Sequence, residues 1–150
     1  MPLPPFLISA SALLCERILQ EEDKVLSAIR IIDVIYVPQL PASAPEGSVT
    51  GVQEYCLIIL KAQPGHQGKH LIEFRMLNPK GELTNISEPI EAEFKARPEF
   101  GKDVPGGATV SIQLNLAVKN YGTCYICVYL DGEEITRAPF TLLQQAEKNG

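Results

Sequence analysis

The sequence has no tryptophan, two histidines and two methionines, and its 13 lysines and arginines are outnumbered by 18 acidic residues. The net charge of −5 withholds the positive surface that nucleic acid and anionic membranes require. No basic cluster interleaved with aromatics offers a stacking groove for a single strand. No apolar run approaches the roughly 20 residues of a membrane-spanning helix. Phe6 to Leu14 is apolar and is followed by Cys15, yet no Lys or Arg precedes it, so the positive start of an export signal is missing. Leu14 also stands where a lipoprotein signal would carry a small residue. The expectation is a cytoplasmic protein without nucleic-acid or membrane partners. In that reducing setting the four cysteines would stay free and act as small hydrophobes.

Sequence signatures of chemistry are equally scarce. Cys124-x-x-Cys127 has metal-knuckle spacing, but it lies inside TCYICVYL. An offset of three along a strand sends two side chains to opposite faces. Cys124 should then share a face with Ile126 and Val128, and Cys127 with Tyr125 and Tyr129. No second such pair exists. His66 and His70 are four apart, a spacing that pairs metal ligands on a helix, but Pro64, Gly65 and Gly68 argue against a helix there. No nucleophile-elbow sequence supports Ser-His-Asp catalysis. Gly106-Gly107 precedes a strand rather than following one, and no phosphate-binding Lys-Ser or Lys-Thr comes after it. Glu21, Glu22 and Asp23 crowd one turn and Asp131, Glu133 and Glu134 another; solvated hairpin tips explain them better than calcium does. Asn85-Ile86-Ser87 matches a glycosylation acceptor, relevant only in a eukaryotic secretory route. These readings nominate no catalytic, cofactor-binding or metal-ligating residue. An enzyme would need a pocket around groups such as His70, Asp33 or Asp103.

What the sequence does have is a two-residue rhythm. In Thr109 to Lys119 every second residue (Val110, Ile112, Leu114, Leu116, Val118) is apolar, with Ser111, Gln113, Asn115, Ala117 and Lys119 between them. Alternation of that kind makes a strand with one dry and one wet face. Similar segments follow the chain: Val25 to Val37, Val52 to Ala62, His70 to Leu77, Glu82 to Ile86, Pro89 to Ala96, Thr123 to Leu130 and Glu134 to Leu142. Val25 to Val37 is so rich in Ile and Val that it reads as one strand, buried on both faces through its centre. Asn78-Pro79-Lys80-Gly81 has turn residues in the right places, and Asp131-Gly132 is a hairpin turn. Pro139 suggests an edge or a bulge. Pro38 to Gly47 reads as a crossover between sheets, and Arg97 to Gly107 is a long irregular loop. Phe6 to Gln20 is readable locally as strand or helix.

The expected fold is a single domain over residues 1–150: an all-β antiparallel sandwich of Ig-like or fibronectin-like character with about eight strands, a lead-in at 1–5 and a flexible tail at 144–150. The alternative is a sandwich with one helix near the N-terminus.

Three stretches carry a resemblance: LLCERILQEEDKVLSAIRIIDVIYVPQLP, IEFRMLNPKGEL and CYICVYLDGEEITRAPFTL. In this order they resemble a family of small bacterial β-sandwich proteins of unknown function. The chain differs in lacking glycine in the Glu21 to Lys24 turn and in its longer loops at Gln63 to Lys69 and Arg97 to Gly107. The resemblance implies a sandwich and a strand for the first segment. It implies no activity.

A core without a recognisable active site suggests a noncatalytic protein-interaction or assembly module, with a protein partner or self-association through loops or an edge strand. The alternative is a structural component of a phage-like or secretion-like particle.

Overall fold

The computed structural model describes residues 2–22 and 24–145. Met1, Asp23 of the acidic turn and residues 146–150 of the expected tail lie outside the described residues. The chain runs through ten strands: β1 (Leu7–Gln20), β2 (Leu26–Ile31), β3 (Val34–Val37), β4 (Thr50–Ala62), β5 (Gly68–Leu77), β6 (Leu83–Asn85), β7 (Ile90–Phe94), β8 (Gly106–Val118), β9 (Gly122–Leu130) and β10 (Glu133–Gln144). A 3₁₀ turn, Pro98–Phe100, interrupts the loop before β8. One sheet has the order β2-β1-β4-β8; the other has β3-β10-β9-β5-β6, with β7 beside β6 along β5. All pairings are antiparallel except β3 with β10.

The first segment is a strand throughout. Val25 to Val37 is not the single, doubly buried strand that its composition suggests. It divides at Ile32-Asp33: β2 pairs with β1 in one sheet, and β3 crosses to run beside β10 in the other. Its β2 half is only partly buried, and Ile31 is 65% exposed. This division, together with the first segment's being a strand, raises the strand count above eight. Pro38 to Gly47 does carry the chain from one sheet to the other.

The inward residues meet between the sheets. Phe74 of β5, Phe94 of β7 and Phe140 of β10 are fully buried against Ile58, Leu114 and Ile126. Each such side chain contributes roughly 1.5–3 kcal/mol through its removal from water. The hairpin turns follow their sequence signals. Gly81 N–H donates to Asn78 O at 3.0 Å, and the Asn78 side chain accepts from the Lys80 and Glu82 amides. Asp131 and Gly132 both take positive φ, as a two-residue hairpin turn requires. Pro139 lies beyond the end of β3, whose pairing with β10 starts at Thr141, so its missing N–H leaves that ladder intact.

The sheets join at one corner. Lys95 and Gly107 exchange both backbone hydrogen bonds, at 3.0 and 3.1 Å. The approach needs two glycines. A Cβ on Gly106 would lie 2.2 Å from Lys95 O, and one on Gly107, whose φ is +150°, would lie 1.9 Å from Leu60 O.

Candidate functional site

The two histidines converge without a helix. The tight turn after Gln63, closed by the His66 amide on Gln63 O, swings His66 back over the start of β5. Its Nε2 lies 2.9 Å from Nε2 of His70. His70 Nδ1 contacts Asp131 Oδ2 at 2.6 Å, and the Leu71 amide donates to Asp131 Oδ1 at 2.9 Å. Phe6 stacks on both imidazoles, and the Phe94 ring edge closes the group. Only one proton fits between two Nε2 atoms in hydrogen-bond contact. Burial, aided by the neighbouring His70, pushes His66 below the usual histidine value. Burial raises the Asp131 carboxyl, but the Leu71 amide and His70 lower it further, and the net direction is down. The cluster ties the start of β5 to the β9–β10 turn and to the N-terminal segment.

Among the described residues, no three His, Cys, Asp or Glu side chains are grouped to hold a metal ion. Carboxylates of the two acidic turns have protein partners: Glu21 accepts from Ser27, Asp131 from Leu71, and Glu134 from Arg137.

All four cysteines are free and buried. Cys124 faces the core with Ile126 and Val128. Cys127 faces the other way, opposite Arg75 and Arg137 in the neighbouring strands. There it is covered by a layer in which Arg75 lies 4.2 Å from the Tyr129 ring centre and Arg137 lies 5.7 Å from that of Tyr125. Burial raises both thiols, and burial with the neighbouring Cys15 pushes Cys56 up to about 12. Such thiols are poor nucleophiles at neutral pH.

The remaining feature is the outer edge of β8. Its ladder with β4 runs without a register shift from Gly106 opposite Ala62 to Val118 opposite Thr50. Gly107 turns both backbone groups away from β4, toward Lys95. By the two-residue alternation of an antiparallel ladder, Thr109, Ser111, Gln113, Asn115 and Ala117 point theirs the same way. Beyond Gly107 no strand pairs with that edge among the described residues. Residues 108–118 carry no charge and no proline, the usual means by which an edge strand resists pairing.

From the Lys95–Gly107 corner, β8 and the β7–β6 edge run alongside each other and separate. Where they part lies a cleft of ≈ 260 Å³ with Asn115 and Ala117 on one wall, Thr84 and Asn85 on the other, and Met76 and Leu142 on its floor. Val110, Ile112, Ile86 and Ile90, along the same side, are only half-buried. A second, more charged cleft of ≈ 560 Å³ surrounds the corner itself, with Lys61, Glu93, Arg97 and Glu99 in its walls. None of His70, Asp33 and Asp103 lines either cleft. The edge escaped the sequence reading because pairing partners are non-local; the absence of charge from Ala108 to Val118 was its one visible signal.

Residues 10–143 match the model of a family of unknown function, DUF6941. The chain belongs to DUF6941. No curated protein matches it. Among solved structures, it is similar to the Pseudomonas fluorescens alkylpurine DNA glycosylase AlkC bound to DNA containing an abasic site analog, at 13% identity and a TM-score of 0.39. That match covers 87% of this DUF6941 chain but 30% of the glycosylase, and so weak a likeness supports neither a fold relationship nor a shared activity.

Proposed function

We propose that this DUF6941 protein is a noncatalytic interaction or assembly module that binds a protein strand along β8. The observation that carries the reading is the charge-free, bulge-free edge from Thr109 to Ala117, unpaired among the described residues. An incoming strand would satisfy its backbone groups, and alternate side chains would enter the cleft between β8 and β6. An Ig-like reading of the strand order supports this. β1, β4 and β8 then take the places of strands A, B and E, and β5, β9 and β10 those of C, F and G. Strand D would lie beside E in that sheet; among the described residues only the Lys95–Gly107 bridge that follows β7 pairs with that side of β8. A bacterial cytoplasmic setting is part of the proposal; four free, buried thiols suit a reducing compartment.

The test is a titration of the full chain with a lysine-flanked peptide of the Ala108 to Val118 sequence, followed by amide hydrogen exchange. Binding should slow exchange at Thr109, Ser111, Gln113, Asn115 and Ala117. Failure of the monomeric chain to bind, or protection confined to other strands, would refute strand addition here.

A further inference from the structure

We infer that the strand received by β8 is β8 of a second copy, paired antiparallel about a two-fold axis through Gln113. This rests on the strand-addition reading and names its partner. The register follows from the ends of the free edge. Gly107 is already bonded to Lys95, so the outward-pointing residues still available run from Thr109 to Ala117, and Gln113 is their midpoint.

A two-fold axis there sets each outward-pointing residue against another: Gln113 against Gln113, Ser111 against Asn115, and Thr109 against Ala117. All are facing pairs of the type that exchange both hydrogen bonds, so both copies use every free group on the edge. The side chains agree as well. On the inner face Ile112 meets Leu114 and Val110 meets Leu116. This sets apolar side chains of the partner beside the half-buried Val110 and Ile112. On the outer face the short polar side chains of Ser111 and Asn115 are neighbours, and two Gln113 amides face each other. No charge opposes another in this register, and β8 presents no charge with which to select a foreign strand. Self-complementarity of one patch about a two-fold axis is the defining property of an isologous dimer. The four-stranded sheet of each copy then continues into the other across the seam.

Sedimentation equilibrium of the full chain over a wide concentration range tests the inference. A reversible dimer is expected. Gln113 is exposed, so Gln113→Lys and Gln113→Glu should keep the melting temperature of the wild-type monomer. Each should weaken self-association roughly a hundredfold, because two like charges meet at the axis. Mixing the two variants should restore a dimer, a result that only a register pairing Gln113 with Gln113 produces. A monomeric wild type at every concentration would overturn the homodimer while leaving strand addition standing if the β8 peptide still binds. A dimer indifferent to both variants, or variants that do not rescue each other, would overturn the β8 seam. Failure of both dimer and peptide would overturn the homodimer and the strand-addition reading together.

Discussion

Two edges leave the Lys95–Gly107 corner, and they are built to opposite rules. Along β7 the outward positions are Glu91, Glu93 and then Lys95, and Glu91 is paired to Lys69 at 3.2 Å. Along β8 the corresponding positions are Thr109, Ser111, Gln113, Asn115 and Ala117, without one formal charge. Both strands turn apolar residues to the same core. They differ only in what they offer to a passing strand. Charges make docking costly because they would have to be desolvated or opposed; neutral polar side chains impose no such barrier. The contrast lies in the wet faces alone, and on the strand-addition proposal it is the wet face that would set the affinity of an edge, while the dry face serves stability.

The comparison can be broken most severely at the core. Phe94→Ala removes the ring that anchors β7 and should cost about 3–5 kcal/mol, read as a lowered urea midpoint. It should disorder the charged edge before the neutral one, with faster amide exchange in β7 than in β8. Gly107→Ala strikes the corner itself. The new methyl group meets Leu60 O in a backbone conformation that alanine resists, a loss of about 2–4 kcal/mol. Urea denaturation measures the cost, and exchange at Lys95 should accelerate. Ser111→Glu sharpens the contrast by giving β8 the character of β7. Stability should change by no more than about 0.5 kcal/mol, while binding of the β8 peptide falls sharply in fluorescence titration.

The smallest effect is expected at the histidine corner, which touches β7 through Phe94 but has no residue in β8. His66 has its pKa lowered on folding. Its contribution to stability is therefore complete above the unfolded value near 6.5 and drains away as pH falls from there through the folded value. Asp131, also lowered, contributes above the ordinary carboxylate range and is lost only at still lower pH. The urea midpoint should decline between about pH 7 and pH 5 in the wild type and less steeply in His66→Gln. Peptide binding by β8 should be unaffected by that substitution.

Much of the architecture was legible because strand periodicity is a local property. The rhythm of Val110 to Val118 marks β8, and the odd offset of Cys124 and Cys127 puts them on opposite faces, as found. Non-local relations were less so. The Ile and Val density of Val25 to Val37 reports strand character but not a change of sheet at Ile32-Asp33; the positive φ of Arg30 belongs to a residue type that does not advertise it. Spacing by four brings His66 near His70 by a turn over Gly65, a route that helical periodicity does not describe. Likewise the neutrality of β8 is plain in its residues. That neutrality matters only because, among the described residues, no strand pairs with it beyond Gly107, and that depends on where Ala96 to Pro105 travels.

The Lys95–Gly107 clamp has a consequence for that excursion. Because the hydrogen bonds that close it lie at its base, the span from 96 to 105 can be cut, lengthened or loaded with foreign sequence without prising the two layers apart. It is a ready handle for tethering or labelling the molecule, provided that the twin glycines at its root are left alone.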